Sequence, residues 1–376
     1  INPSMGSILI SIVKCEQSYT SFEYLKMKFF RRDHNKMYAD INNSIRNFIK
    51  SPPDQPDVDR LVKICQNLKN FLRIRQEQII IYREIPIYFQ NVMSENFTDK
   101  IEACKEKVGE FKITECMGSL GVGVEKELTI LKYLFMGRKA IIEYNLEASV
   151  IFLYKVKSLI SSWKEICSQQ IYSEQKSEET GSTLQAIQAF FIAPDRHVKR
   201  GHNSPNHILW LEKFLNNLIS KMSLYFMRIF LGRETAMGAD VRSLLRRINP
   251  DYHSAIRNFR NRHISLVYEI TDEPFHENGY NLAGEGSFRF IYSCEDKIPM
   301  DHLPKIISII QENNEKKGAS LDKSEPVCVK DQNACYYFIH VEHHVYLVAI
   351  SERTEKVDSS TMEFITTLAR RLDGTE

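Results

Sequence analysis

One stretch constrains this chain more than any other: residues 204–232, S-P-N-H-I-L-W-L-E-K-F-L-N-N-L-I-S-K-M-S-L-Y-F-M-R-I-F-L-G. Its apolar positions Leu211, Leu215, Leu218, Met222, Tyr225 and Ile229 alternate steps of four and three, the period of a single helical face. Trp210, Phe214, Leu224 and Met227 form a second row beside them, so the apolar arc is wide. A helix greasy over so much of its girth has to be covered on more than one side. Ser204 is placed to cap it, Pro205 suits its first turn, and Gly232 suits a left-handed stop. At 1.5 Å per residue the rod over 205–231 would run roughly 40 Å. Helical patterns precede it and strand patterns mostly follow it, so it is expected to be a spine joining two halves.

Upstream, helical periodicity covers Ser7–Arg32, Lys36–Lys50, Asp57–Met93, Phe97–Val108 and Glu125–Cys167. Pro86 is expected to kink or end the third of these, and a break near Asn145 divides the last. Gly118–Gly123 reads as a loop, and Ser168–Asn203 is polar apart from a short helix at Leu184–Phe191. Amphipathic helices joined by short turns bury their faces against one another, which predicts an antiparallel bundle.

Past two short helices, Ala239–Ile248 and Asp251–Arg262, the rhythm changes. His263–Ile270, Gly286–Ser293, Pro326–Lys330, Cys335–Val341 and His344–Ile350 are rich in β-branched and aromatic residues, with helices at Pro304–Asn314 and Ser359–Leu372. The fold class is therefore α+β. A helical bundle over 1–248, spine included, precedes an α/β domain over 249–376 with one five-stranded, mainly antiparallel sheet and helices on a face. Roadblock, longin and profilin-like domains share this element order, a topological match that carries no function by itself.

Composition narrows the function classes. Fifty basic residues against 48 acidic leave a net charge of +2, which exerts no global pull on nucleic acid or anionic membrane. The eight cysteines form no C-x-x-C and read as buried reduced thiols, favouring a reducing compartment. The apolar run Ile8–Val13 has no basic leader and is short for a signal peptide or a membrane span, so the expected location is cytosolic.

Four groupings carry chemistry-bearing residues. Gly118, Gly121 and Gly123 precede a helix, but they match neither phosphate-binding glycine motif and no strand comes before them. His340, Glu342 and His344 would share one face of a strand, as metal ligands do. A hairpin turn at Glu342–His343 instead makes them an exposed turn. Arg242, Arg246, Arg247, Arg257, Arg260 and Arg262 are dense, with Arg196, Lys199 and Arg200 ahead of them. Such a patch is a solvated helix face, a grip for an acidic protein or lipid headgroups, or a nucleic-acid contact. Near-neutral net charge and the lack of a stacking-aromatic pattern weigh against the last, and no nucleic-acid partner is expected. For nucleophilic catalysis there is no G-x-S-x-G elbow and no family signature around a cysteine. No catalytic residue, cofactor or metal is expected, and no small-molecule substrate.

The run His207–Phe226, followed by Asn249-Pro250-Asp251-Tyr252 and Ile264-Ser265-Leu266-Val267, resembles the helical subunit of the KICSTOR complex. Tyr19-x-Ser21-x-x-Tyr24-Leu25 and Ser162-Trp163 extend the resemblance upstream. These are packing residues, so they point to a family without marking a site. The resemblance implies a non-catalytic scaffold that holds the GATOR complex, a GTPase-activating assembly, at the lysosomal surface. It thereby restrains TOR kinase signalling under amino-acid or glucose starvation. The implied partners are other KICSTOR subunits and GATOR, with membrane association only through them. The alternative is a roadblock- or longin-type adaptor that binds a small GTPase directly in trafficking.

Overall fold

The structure, a computed structural model, describes residues 3–22, 31–50, 57–90, 97–175, 205–233, 240–248, 256, 263–270, 282–295, 297–317, 325–342, 344–351 and 359–374. Its described residues divide into two compact units. The first takes in Ile1–Tyr88, Met93–Phe135 and Tyr154–Leu215; the second takes in Phe89–Val92, Met136–Leu153 and Asn216–Glu376.

Every described element up to residue 248 is a helix. α1 (Pro3–Thr20) buries Ile8, Ile12, Cys15 and Tyr19 at helical spacing and stops at Phe22, whose φ is 56°. α2 (Arg31–Lys50) buries Tyr38, Ile41, Ile45 and Phe48 in the same way. α3 (Val58–Gln90) runs on past Pro86 for another turn, so the proline does not end it. α4 (Phe97–Glu110) and α5 (Ile113–Met117) lead into α6 (Ser119–Ile142).

The expected glycine loop is a helix. Gly118 (φ 55°) makes the turn between α5 and α6, while Gly121 and Gly123 lie inside α6. A Cβ on Gly121 would come within 2.3 Å of the Ile113 carbonyl oxygen, and one on Gly123 within 3.5 Å of Trp163. Gly121 is there to let backbone approach, a use that composition alone reads as flexibility, while the contact at Gly123 is an ordinary one.

The break near Asn145 falls where the sequence placed it. Tyr144 adopts φ 55°, and Asn145 Oδ1 accepts the Ala148 N–H at 3.0 Å to cap α7 (Leu146–Gln175). The spine is interrupted as well. α8 (Asn206–Tyr225) ends at Phe226 (φ −99°, ψ 12°), and α9 (Met227–Gly232) follows. The pattern could not register this, because the four-residue step from Tyr225 to Ile229 is kept and both are buried. Gly232 is not the left-handed stop; α9 closes on Arg233 at φ −105°. Ser204 lies outside the described residues, and the Pro205 carbonyl accepts from Ile208 and Leu209 in the first turn. The helix expected at Leu184–Phe191 also lies outside them, as does that at Asp251–Arg262 apart from the buried Ile256.

In the second unit, after α10 (Val241–Ile248), the sheet holds β1 (His263–Glu269), β2 (Gly284–Glu285), β3 (Phe288–Ser293), β4 (Val327–Lys330), β5 (Cys335–Glu342) and β6 (Val345–Ser351). All described pairings are antiparallel, in the order β2-β3-β1-β6-β5-β4. The described sheet thus has six strands rather than the five expected. The added one, β2, is two residues long, too short to leave a periodic signal, and pairs Gly284 with Arg289 and Glu285 with Phe288.

α11 (Leu303–Lys317) packs Leu303, Ile306 and Ile310 onto Val267, Phe290, Tyr336, Phe338, Tyr346 and Val348. The alternate residues Tyr337, Ile339, Leu347 and Ala349 must face the other way, yet they too are buried. α12 (Ser359–Asp373) packs against β5 and β6 and buries Ile365, Leu368 and Leu372. Helices therefore serve both faces, which is why β5 and β6 are apolar almost throughout rather than alternating.

Candidate partner-binding site

The arginine patch begins on α10. Asp240 caps this helix, its Oδ1 accepting the Ser243 N–H at 2.9 Å. Val241 and Leu245 are buried, and Arg246 and Arg247 are exposed in the last turn, where a helix C-terminus favours cations. Arg242 lies on the same helix. Arg257, Arg260 and Arg262, together with Arg196, Lys199 and Arg200, fall outside the described residues. α10 thus presents two guanidinium groups that a carboxylate or phosphate can engage in bidentate fashion.

Exposed apolar side chains offer a second kind of contact. In the first unit Ile80 and Ile87 sit seven residues apart on α3, both more than half exposed. They share that stripe with Glu77, which Lys107 engages at 2.9 Å, and Glu84, which Lys100 engages at 2.6 Å. In the second unit Val150 and Ile151 are exposed on α7. A recess between α1 and α2 is lined by Ser7, Ser11, Lys14, Asp40 and Ser44 over Ile8 and Ile41. The Ser11 and Ser44 hydroxyls are spent on Ser7 and Asp40 carbonyls of their own helices, so neither is aimed into the recess.

Most of the chemistry-bearing groups that sequence reasoning missed are inside. In the first unit Arg75 is buried on α3 and donates from Nε to both oxygens of Glu16 (3.0 and 3.1 Å) and from Nη2 to Glu16 Oε2 (2.9 Å). Its Nη1 reaches Glu127 at 3.0 Å and Gln78 at 2.8 Å. Tyr19 and Tyr82 each donate to Glu127 Oε1 at 2.7 Å. Two carboxyl groups thus face one guanidinium. Burial pushes the Glu16 carboxyl above its ordinary range, Arg75 opposes that, and Glu127 adds to it. Burial alone would lower Arg75, but Glu16, then Tyr19 and Glu127, more than reverse it and hold the guanidinium charged. Beside the cluster, His207 packs its ring near Trp163 (5.2 Å) and Tyr19 (6.4 Å). Its Nδ1 has no hydrogen-bond partner among the described residues. Burial, with Arg75 adding to it and Glu127 opposing, brings its pKa down to about 4.

The second unit holds another buried pair. Lys221 on α8 contacts Glu342 at the end of β5, and both side chains are almost wholly inaccessible. Tyr225 donates to Glu342 at 3.4 Å. Burial, then the Arg138 guanidinium, push Lys221 well below its ordinary value, with Asp373 opposing. Arg138 lies over the Phe89 ring and donates to the Asp373 carbonyl at 3.3 Å.

These contacts correct the reading of His340-Val341-Glu342-His343-His344. Glu342 is not part of an exposed turn; it is fully buried and already engaged by Lys221. Among the described residues no three His, Cys, Asp or Glu side chains are grouped to hold a metal ion. The pairing shifts register between His340 and Glu342, which breaks the simple alternation that put three ligands on one face. Likewise, no described helix is long and apolar enough to cross a membrane.

The chain is 23% identical over 403 residues to KICSTOR subunit 2 of Xenopus laevis, covering 98% of this chain and 86% of that protein. It is 21% identical over 392 residues to KICSTOR subunit 2 of Danio rerio, covering 96% and 83%. A family model described as "KICSTOR complex C12orf66 like" matches residues 3–376, and the chain therefore belongs to that family.

Proposed function

We propose that this chain is a non-catalytic scaffold subunit of a KICSTOR-like complex. In this reading it helps tether the GATOR GTPase-activating complex at the lysosomal surface and restrains TOR kinase signalling when amino acids or glucose are scarce. The observation that carries the reading is the family match along residues 3–376, since a match of that extent takes in both compact units rather than a shared module. Membrane association then runs through partners.

The physical side of the proposal is shape retention and surface chemistry. The Arg75 cluster ties helices together and the Lys221–Glu342 pair ties α8 to β5, at the cost of desolvating polar and charged groups. The exposed arginines of α10, with Arg257, Arg260 and Arg262 beyond it, form the proposed grip for an acidic partner surface. With β2 set aside, the strands run second-first-fifth-fourth-third, and we assign the second unit's sheet to the roadblock/longin-like class on that order.

Affinity purification of the tagged chain from fed and starved cells tests the assembly: other KICSTOR-like subunits and GATOR are expected to co-purify. Depleting the chain should leave TOR signalling active in starved cells, and normal shut-off there overturns the reading. Arg246→Gln with Arg247→Gln should weaken retention of partners while shifting the melting temperature only slightly, since it removes the favourable C-terminal charges without placing carboxylates there.

A further inference from the structure

Cys328 and Cys335 lie on the two strands of the β4–β5 hairpin. Cys328 pairs with Tyr337 and Lys330 pairs with Cys335, so the two cysteines are diagonal neighbours on one face. The turn between them is closed by the Asp331 N–H donating to the Ala334 carbonyl at 2.8 Å. Their sulfur atoms are 3.2 Å apart, closer than two unbonded sulfurs rest without a hydrogen bond between them. Cys335 is buried and Cys328 half-buried, so Cys328 is the more accessible of the two to a reagent. β4 is the last of the described strands in the order, so this pair stands at the end of the described sheet.

We propose that Cys328 and Cys335 form a thiol-disulfide exchange site whose oxidant is a low-molecular-weight disulfide such as glutathione disulfide. The Cys328 thiolate attacks one sulfur of the oxidant and releases one glutathione thiolate, leaving a mixed disulfide on Cys328. The Cys335 thiolate then attacks the Cys328 sulfur, forms the intrachain bond and expels the second glutathione. Two protein thiols are oxidised, one disulfide is reduced to two thiols, and the two protons pass to the departing thiolates. The product would tie the edge strand β4 covalently to β5.

Burial, then the hydrogen bond and charge of Cys335, push the Cys328 thiol up to about 12, with Lys330 opposing. Thiolate is therefore scarce near neutrality, the uncatalysed exchange is slow, and its rate should rise roughly tenfold per pH unit below that value.

The site can be read directly, because trypsin cuts at Lys330, between the two cysteines. The folded full chain is incubated with glutathione disulfide, its remaining thiols are alkylated, and it is digested without reduction. The expected product is peptide Ser324–Lys330 joined to Asp331–Arg353, neither of which holds another cysteine. Cys335→Ser should instead leave glutathione on Cys328, and Cys328→Ser, the milder change at a half-buried position, should abolish the linked pair. A urea-unfolded sample should lose the preference for this pairing. Full alkylation of both cysteines in the folded wild-type chain, or linkage of either to a different cysteine, overturns the proposal. The readout is independent of any complex, so it stands or falls separately from the scaffold reading.

Discussion

Arg75 on α3 donates to Glu127 on α6 at 3.0 Å while the same guanidinium holds Glu16 on α1, so one cation ties three helices of the first unit. The remaining oxygen of Glu127 is taken by two tyrosine hydroxyls. The cluster is buried, and its worth lies in specifying one arrangement of helices.

Replacing Arg75 with Met keeps most of the volume but strands two carboxylates in the interior. Breaking a buried ion cluster from one side costs about 3–5 kcal/mol. Urea denaturation of Arg75→Met should show that loss. The triple change with Glu16→Gln and Glu127→Gln should recover a large part of it. A single variant as stable as wild type would mean that the cluster is hydrated.

His207 makes stability fall in acid. Its folded pKa of about 4 lies below the ordinary 6.5, so the unfolded chain binds a proton that the folded chain refuses. The associated stability is complete above pH 6.5 and drains away as pH falls towards 4. The loss by pH 5 is about 2 kcal/mol. Glu16, raised by burial, works in the opposite sense above its ordinary value, so the comparison must be between wild type and His207→Leu. Denaturation at pH 7 and pH 5 should show a smaller difference in the variant.

Gly121→Ala should destabilise by about 1–3 kcal/mol, because the new methyl meets backbone at 2.3 Å and backbone cannot rotate away. Gly109→Ala is the control. It is exposed near the end of α4 with nothing within 4 Å of the added carbon, and should stabilise by roughly 0.5–1 kcal/mol. Melting temperatures by circular dichroism should move in opposite directions.

For Lys221 and Glu342 the informative experiment is a double-mutant cycle. Either Lys221→Met or Glu342→Leu alone leaves a buried polar group without its partner and should cost about 1–3 kcal/mol. The pair together should come close to neutral, giving a large coupling energy. Additive losses would show that the two side chains do not share one site.

Where five of the six described strands and most helices lie was legible because apolar periodicity survives in them. The five expected strands match β1, β3, β4, β5 and β6 to within two residues at either end. What escaped was set by tertiary contact. Phe226 breaks the spine without disturbing the four-residue step that the stripe is read from. Gly121 marks a close approach that looks, in sequence, like a loop. Arg75, Glu127 and Glu342 are charged letters, which suggest a wet surface until the partner from a distant segment is seen. Two of the six arginines of the patch are seen exposed, on α10, and a third lies on the same helix.

Tyr144 is the left-handed residue at the break between α6 and α7, and its hydroxyl donates at 3.0 Å to the carbonyl of Tyr225, the last residue before the break in the spine. The rings of Tyr144 and Phe226 lie 4.7 Å apart. One discontinuity therefore supplies the donor for the other. Sliding α8 by a single turn against this corner would leave an oxygen with no proton to face, so the two flaws together act as a detent that sets the helices' axial position.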